Sequence, residues 1–297
     1  MKKRILIGIP AYNEERSIES VVMSALSQKG NFDRRIAVFS DGSRDKSVEI
    51  IKNIKNKYVE VIESKKQVGK TAAIKALISK AKTEKYSFLV ILDADLQIKS
   101  NLIVSKLFKK ITANNQLIAV SGFAKPIKAE NLAQKIGQLG FYVWEDMVQK
   151  AKVDQMFFRS SDPVIILRIA DFPEARIKKY NYMHDEFYYL YAKSLGKRIG
   201  FEKGAVVYFS LPANLKDYVK QMSRYLSRHI SDQELDFLPN KRPHFTVVQK
   251  IRTLMIYFNK DLIVSLAYLL VQVYVHLVSF ISPRKIGGSW SQISSTK

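Results

Sequence analysis

Cysteine is absent from this 297-residue chain, and histidine occurs only four times. The missing cysteine excludes disulfide bonds, thiolate chemistry and a cysteine-rich zinc site, and it is compatible with a reducing compartment. The scattered histidines form no metal-binding spacing. Internal repeats and low-complexity tracts are also missing. Hydrophobic residues make up 47% of the chain, which is enough for one large domain with an appendage.

Acidic residues are scarce, with 27 against 49 lysines and arginines and a formal net charge of +22. A chain this basic is expected to meet an anionic partner such as nucleic acid, an acidic lipid surface or a phosphorylated substrate. Nucleic acid has the weakest support, because no recognition helix, zinc finger or aromatic RNA-binding signature accompanies the charge. A non-catalytic protein that binds lipid or nucleic acid stays open as an alternative.

Long hydrophobic runs are absent except for Leu262–Ile281, which has no charged side chain apart from His276. The run is long enough for the hydrocarbon core of a bilayer. Three alternatives stay open: the run spans the membrane, lies at its interface or packs against a partner. Gln272 and His276 count against an unpartnered span, because polar side chains are costly in lipid. The basic residues before it predict a cell-membrane location with residues 1–260 on the cytoplasmic side. The apolar run at the start of the chain ends at Pro10, and it is too short for a signal peptide.

The first two thirds of the chain alternate short apolar runs with helical periodicity, which predicts an α/β fold with a mostly parallel sheet flanked by helices. The predicted strands are Arg4–Ile9, Ile36–Phe39, Val59–Ile62, Phe88–Leu92 and Leu117–Val120. Helices are predicted after Asn13 as an N-cap, after Asp45 and around Ala72–Ala81. The region from Gly122 to Lys179 has no pattern that supports a detailed prediction.

Two carboxylates, Asp93 and Asp95, follow the run Phe88–Leu92, which has the composition of a buried strand. At the carboxyl end of such a strand, both can turn toward the crevice where open α/β sheets bind ligands. Their hard oxygen atoms suit Mg²⁺ or Mn²⁺ held against a diphosphate. The competing interpretation is a polar loop whose aspartates cap the next turn or helix.

Three more polar motifs fall at the ends of predicted strands: Pro10-Ala11-Tyr12-Asn13-Glu14, Asp41-Gly42-Ser43 and Gly69-Lys70-Thr71. Together with the Asp-Ala-Asp segment, their order over residues 4–105 resembles the family 2 glycosyltransferases. The resemblance implies the nucleotide-diphospho-sugar transferase fold called GT-A. It also implies a nucleoside-diphosphate sugar as donor, with UDP as the expected nucleotide and Mg²⁺ or Mn²⁺ as cofactor.

The resemblance assigns the donor side of a site to the residues Pro10, Tyr12, Glu14, Asp41, Lys70 and Asp93. Asp95 would take the metal ion, with Asp93 beside it and facing the sugar of the nucleotide. Tyr12 offers an aromatic face to the base, and Asp41 offers a carboxylate to its ring nitrogen. Without the resemblance, Tyr12 is a packed turn aromatic and Lys70 a solvated lysine.

The resemblance continues on the acceptor side. Asp185 precedes two strand-like runs, Arg198–Phe201 and Ala205–Phe209, in the order of the family's Glu-Asp motif. Asp185 is therefore the candidate general base of an inverting transfer, and Glu186 is the competing base.

A second acceptor-side motif, Gln221, Arg224 and Tyr225, resembles the Gln-x-x-Arg-Trp motif of processive synthases of cellulose, chitin and hyaluronan. It would place Gln221 and Tyr225 near the acceptor and Arg224 near the diphosphate. Asn214 followed by Asp217 predicts the start of the amphipathic helix that carries this motif, a helix suited to a membrane interface. Tyr225 in place of tryptophan, His184 in place of glutamate and Ser40 in place of a second aspartate depart from the family pattern. These departures concern the acceptor and processivity rather than the fold.

The sequence predicts three parts: a catalytic domain at 1–210, amphipathic interface helices at 211–260, and a hydrophobic membrane-associated segment with a tail at 261–297. The predicted function is inverting transfer of a hexose to a saccharide or lipid-linked saccharide at an anionic membrane surface. No nucleic-acid partner is expected, and a homo-oligomer is left open. The alternative within the enzyme class is transfer of one sugar to a polyprenyl phosphate, which would not require the Gln-x-x-Arg-Tyr motif.

Overall fold

The computed structural model describes residues 2–151, 155–159, 163–180, 183, 186–226, 245–258 and 260–281. At its centre is an eight-stranded sheet with the order β3-β2-β1-β4-β7-β6-β8-β5. The strands are β1 (Lys3–Ala11), β2 (Phe32–Ser40), β3 (Val59–Glu63), β4 (Phe88–Leu92), β5 (Leu96–Gln97), β6 (Leu117–Pro126), β7 (Val164–Arg168) and β8 (Arg198–Phe209). All five strands predicted from the amino-terminal pattern are confirmed, as parts of β1, β2, β3, β4 and β6.

The sheet is mixed. β1 pairs in parallel with β2 and β4, and β6 pairs in parallel with β8, but β7 runs antiparallel to β4 and β6. β7 lies in the region that gave no prediction, because a short apolar run has the same appearance in a buried strand and in a helix. The two strand-like runs after Gly196 form the single strand β8, whose pairing with β6 is irregular between Phe201 and Val206.

Helices connect most of the strands. They are α1 (Ile18–Leu26), α2 (Ser47–Asn53), α3 (Lys70–Thr83), α4 (Ile103–Thr112), α5 (Leu132–Gln149), α6 (Met156–Arg159), α7 (Glu174–Ile177), α8 (Phe187–Ser194), α9 (Leu215–Leu226), α10 (Val247–Phe258) and α11 (Leu262–Ile281). The three helices predicted early in the chain are present as α1, α2 and α3. The N-cap prediction at Asn13 is wrong, because Asn13 has a φ of 52°. The helix begins at Ile18, after a turn in which the Glu14 carbonyl accepts from Ser17 N and Ile18 N.

Apolar side chains cover both faces of the sheet, as expected for strands without a polar face. Along β1, Ile5 and Ile7 face the cluster with α1 and α4, whereas Leu6 faces the cluster with α3 and α8. These three side chains are fully buried. The sheet is therefore a rigid central layer, and polar groups are left to its edges.

A third apolar cluster joins α5, α9, α10 and α11 into a helical layer. Gly140 on α5 permits close approach of the other helices. A Cβ at this position would lie 3.1 Å from the Tyr268 ring and 3.2 Å from the Tyr218 hydroxyl. Gln272 on α11 donates a hydrogen bond to the same hydroxyl at 3.2 Å, so this polar group of the hydrophobic run has a partner within the layer.

The hydrophobic run that the sequence offers as a membrane span is a single helix, α11. Within the described ranges, no helix is both long enough and apolar enough to cross a membrane. The division of the chain at residues 210 and 260 stays a prediction.

Candidate active site

The carboxyl ends of β1, β2 and β4 meet at one edge of the sheet. These strands are parallel neighbours, and Ala11 at the end of β1 is paired with Ser40 at the end of β2. Tyr12, Asp41 and Asp93 therefore leave the sheet at the same edge, where open α/β sheets bind their ligands. The topology brings together the donor-side residues that the sequence predicted at separate strand ends.

An ion pair joins two of these residues. Lys70 Nζ lies 2.7 Å from Asp93 Oδ1, and the two side chains are 19% and 24% exposed. Lys70 is the first residue of α3, and Asp93 N donates to the Pro163 carbonyl at 3.0 Å, which fixes the backbone beyond β4. Partial burial makes such a pair stronger than one at the surface. Lys70 is thus a defined member of the edge rather than a solvated lysine.

Asp95 differs from Asp93 in its surroundings. Ala94 between them is buried, and the Asp95 side chain is exposed to solvent at the turn that leads into β5. No group of three or more His, Cys, Asp or Glu side chains that could hold a metal occurs in the described part of the chain. Mg²⁺ in proteins is commonly held by one or two carboxylates, with phosphate oxygens and water completing its shell. Asp93 and Asp95 fit that arrangement.

Asp41 has a different position from the one expected of a base-binding carboxylate. It is fully buried, and its two oxygens accept hydrogen bonds from Val68 N at 2.6 Å and Gly69 N at 2.9 Å. In this arrangement the carboxylate holds the segment that leads into α3. A contact between Asp41 and a base stays a prediction.

Gly42 completes this connection. Its φ of +71° is strained for other residues, and a Cβ there would lie 2.7 Å from the Lys66 carbonyl carbon and 2.8 Å from Gln67 N. The absence of a side chain lets the turn after β2 touch the backbone before α3. The Asp-Gly pair therefore positions Lys70, a link that the motif on its own did not reveal.

The turn that follows β1 is held by hydrogen bonds to nearby serines. Pro10 is buried within β1, and Tyr12 is half-buried. Glu14 is buried, its N–H donates to Ser47 Oγ at 2.7 Å, and its carboxylate accepts from Ser17 Oγ at 3.0 Å. The bond to Ser47, the first residue of α2, ties the turn to that helix. The proposed roles of Pro10, Tyr12 and Glu14 in nucleotide binding stay predictions.

The candidate base Asp185 and its neighbour His184 lie outside the described residues. The described residue Met183 is buried, and its N–H donates to Thr71 Oγ1 at 3.2 Å, one residue beyond Lys70. This bond fastens the chain next to Asp185 to the start of α3. The competing base Glu186 is half-buried and immediately precedes α8.

The Gln-x-x-Arg-Tyr motif lies on α9, whose predicted start is confirmed by the hydrogen bond from Asp217 N to Asn214 Oδ1 at 2.8 Å. Gln221 is half-buried, and the side chains of Arg224 and Tyr225 lie outside what the structure describes. α9 packs against α5 and α11. The motif therefore belongs to the helical layer, and its place near acceptor and diphosphate stays a prediction.

A buried charge pair that the sequence did not reveal lies near the same edge. Arg159 Nη1 contacts both carboxylate oxygens of Glu145, at 2.7 Å and 2.8 Å, and its guanidinium is 4.8 Å from the centre of the Phe201 ring. With Phe123 and Lys203 these residues line a small cavity. Ser121 pairs with Ile165 and Ile165 with Ile91, so Phe123 is two strands from β4, roughly 10 Å. The members come from β6, α5, α6 and β8, so no local motif signals them.

Comparison with known protein families identifies the family of this chain. Residues 6–171 match the family model "Glycosyl transferase family 2", which covers more than half of the chain. The chain is a family 2 glycosyltransferase. Its four strand-end motifs all lie within the matched range.

Two solved structures resemble this glycosyltransferase. The mannosyltransferase PcManGT from Pyrobaculum calidifontis, in complex with GDP-Man and Mn²⁺, is 13% identical, with a TM-score of 0.62 over 95% of this chain and 87% of that one. S. aureus TarS 1–349, in complex with UDP-GlcNAc, is 16% identical, with a TM-score of 0.52 over 75% of this chain and 65% of that one. At such identities the likeness confirms the GT-A fold. The similarity to processive synthases stays a prediction.

Proposed function

We propose that this glycosyltransferase transfers a hexose from a nucleoside-diphosphate sugar to an acceptor hydroxyl, with inversion and with a divalent ion at the leaving diphosphate. The observation that carries the proposal is the Lys70–Asp93 ion pair, with exposed Asp95 two residues further on, at the end of the sheet that Tyr12 also reaches. The nucleotide sugars in the two similar structures support the same donor class, and one of the two also contains Mn²⁺.

The electrostatics of the edge suit the departure of a diphosphate. Negative charge grows on the leaving group, and stabilising that charge is the largest catalytic contribution expected. Exposed Asp95, with Asp93 beside it, is the proposed ligand set for Mg²⁺ or Mn²⁺, which would act as a Lewis acid on the diphosphate. Lys70 holds Asp93 in place and adds a positive charge at the same point.

The choice of nucleotide is open to experiment. UDP was expected because Asp41 could accept a hydrogen bond from uracil, but in this structure that carboxylate is fully buried and binds the backbone before α3. One similar structure contains a guanosine nucleotide and the other a uridine nucleotide. We therefore propose the nucleoside-diphosphate hexose as the class and leave the base to a direct comparison.

The acceptor is proposed to be a saccharide or a lipid-linked saccharide, with Asp185 as general base. One observation favours the alternative, a polyprenyl phosphate. Lys203 lines the cavity next to the Arg159–Glu145 pair, and Lys125 Nζ lies 5.1 Å from the centre of the Phe123 ring. An aromatic cavity with Lys203 in its lining and Lys125 against one of its rings suits an anionic acceptor group.

The testing experiment is a screen of UDP- and GDP-hexoses with purified protein, with Mg²⁺, Mn²⁺ or EDTA. Release of the nucleoside diphosphate is measured with saccharide acceptors and with polyprenyl phosphate. In the wild-type protein we expect turnover of one donor that stops in EDTA. Asp95→Asn should lower the rate about 100-fold or more, because it removes stabilisation of the leaving group. Its free energy of unfolding should change by less than about 0.5 kcal/mol, because the side chain is exposed.

Asp33→Asn is the matched control, since Asp33 is an exposed aspartate on β2 outside the edge. It should keep the wild-type rate. Full activity of the Asp95 variant at saturating metal would contradict the assignment of the metal site. Turnover of no nucleoside-diphosphate sugar under any of these conditions would contradict the proposed function itself.

A further inference from the structure

α11 is apolar on two opposite sides. One side packs on α5 and α9 through buried or half-buried residues along most of its length, including Val264, Tyr268 and Val275. The other side carries large hydrophobic residues that are 48% to 75% exposed: Ile263, Leu266, Leu270, Val273, Tyr274 and Leu277. A helix at the surface of a globular protein normally has charged or polar residues on that side. The outward side of α11 therefore has the composition of a surface that is covered in the working protein.

The neighbouring elements also carry exposed apolar residues. Ile251 and Met255 on α10 are 56% and 59% exposed, and Tyr142 and Trp144 on α5 are also exposed. We call this surface, from α10 and α11 with these two aromatic residues, the outer face. Large exposed apolar areas mark interaction sites with proteins or membranes. Tyrosine and tryptophan at the margin are typical of the boundary between lipid and water.

Positive charges accompany the outer face. Lys250 and Arg252 lie on α10 between its exposed apolar residues, and both are exposed. Lys216 on α9 lines the same groove as Leu270 and Tyr274. The described helices α10 and α11 contain no acidic residue, and Asp261 lies just before α11. An apolar face bordered by cations complements a bilayer with anionic headgroups.

We propose that the outer face docks on an anionic lipid bilayer, with α11 lying flat in the headgroup region and its inner side still packed on α5 and α9. This goes beyond the proposed function, since it concerns where the enzyme works rather than what it transfers. Because α9 carries Gln221 and packs on α11, docking brings the predicted acceptor-side helix to the lipid surface. An acceptor anchored in lipid would then reach the site without leaving the membrane.

Vesicle flotation tests the docking. The full-length wild-type protein is mixed with vesicles of phosphatidylcholine, with or without phosphatidylglycerol. We expect binding that is strongest with phosphatidylglycerol. The double variant Ile263→Glu with Leu270→Glu should lose at least tenfold in partitioning, while its circular dichroism and melting temperature stay close to wild type. Lys250→Ala with Arg252→Ala should weaken binding to anionic vesicles and leave binding to neutral vesicles unchanged.

The matched control is Met23→Glu with Leu102→Glu, two exposed hydrophobic residues outside the helical layer. It should bind vesicles within twofold of wild type, and so should Asp95→Asn, which separates docking from catalysis. The proposal fails if wild type binds neither vesicle, or if the glutamate variant binds as well as wild type. It also fails if light scattering shows a dimer that the glutamate variant dissociates and that does not bind lipid, because the outer face would then be covered by a second copy.

The depth of α11 is tested by single cysteines at Ile263, Leu270 and Leu277, which the cysteine-free chain allows without background labelling. The three positions recur every seven residues and so lie on nearly the same side of the helix. An attached fluorophore is quenched by lipids that carry a nitroxide at known depths. A flat helix gives three similar, shallow depths. A gradient of roughly 20 Å between Ile263 and Leu277, which is the rise over fourteen residues, would overturn the flat orientation.

Discussion

At the scale of single residues, Asp41 has a role that its motif alone does not suggest. Its carboxylate is buried and satisfied by the N–H groups of Val68 and Gly69, so it acts on the chain that leads to Lys70. Lys70 in turn holds Asp93. A polar residue at a strand end can therefore serve a site through another residue, without reaching a ligand.

Asp41→Asn tests this role. An amide can replace only one of the two acceptor oxygens, and its NH₂ group then faces a backbone donor. We expect a loss of about 1–3 kcal/mol in the free energy of unfolding, the usual cost of an unsatisfied buried group. Urea unfolding measures it, with Asp33→Asn as control. Unchanged stability together with weaker nucleotide binding would assign Asp41 to the base instead.

Asp185→Asn separates the acceptor from the donor side of the reaction. If Asp185 removes the proton of the acceptor hydroxyl, transfer should fall about 100-fold or more, since general bases contribute 10²–10⁴-fold. Binding of the nucleoside diphosphate with metal should stay close to wild type, because Lys70, Asp93 and Asp95 are intact. Calorimetry measures the binding. Equal losses of binding and transfer would identify Asp185 as a structural residue, and Glu186→Gln would then test the competing base.

At the scale of elements, α5, α9 and α11 meet around one polar contact. The Tyr218 hydroxyl is buried in the layer, accepts from Gln272 and lies against Gly140. The sequence marked Gln272 as a costly polar group in an apolar run. The tertiary structure gives it a partner from a helix more than fifty residues earlier in the chain.

A double-mutant cycle measures this contact. Tyr218→Phe leaves the Gln272 amide without its partner and should destabilise the fold by about 1–3 kcal/mol. The double variant Tyr218→Phe with Gln272→Leu should be less destabilised than the single variant, because neither polar group is left unsatisfied. Chemical unfolding of the two single variants and the double variant gives the coupling. Additive losses would show that the bond adds nothing beyond the packing of the two side chains.

At the scale of the whole molecule, tyrosines are distributed through both the core and the helical layer. Burial raises the pKa of Tyr191 to about 12 and that of Tyr268 to about 12. Burial and the hydrogen bond to Asp146 raise the pKa of Tyr257 to about 12 as well. All three residues have a higher pKa in the folded chain than in the unfolded chain, where tyrosine titrates near pH 10.

This difference predicts the response of the fold to alkaline pH. The stability that comes from these tyrosines is fully present below about pH 10 and is lost as the pH rises toward about 12, because the unfolded chain releases its protons first. The free energy of unfolding should therefore decline above about pH 10, and less steeply in Tyr268→Phe. Urea unfolding at several pH values, with tyrosinate absorbance at 295 nm, measures this. Ionisation of every tyrosine near pH 10 in the folded protein would contradict it.

The sequence by itself predicted much of the fold and placed the donor-side motifs at strand ends. The strands β1, β2, β3, β4 and β6 follow from runs of apolar residues, since a strand that is buried on both faces must be apolar throughout. The motifs could be placed at strand ends because parallel strands bring their carboxyl ends to one edge. The start of α9 was also predicted from the capping pair Asn214 and Asp217, because the two residues lie within four positions of each other.

Only the tertiary structure decided which distant groups meet. Three features join segments that no local pattern connects: the antiparallel insertion of β7, the hydrogen bonds that Asp41 accepts from the backbone before α3, and the Glu145–Arg159 pair. The same holds for the outer face, since the sequence of α11 is apolar all around. Which side packs on α5 and α9, and which is left exposed, depends on long-range packing. The periodicity of a sequence indicates which residues are buried. It does not indicate their partners, because those lie far away in the chain and are brought into contact only by folding.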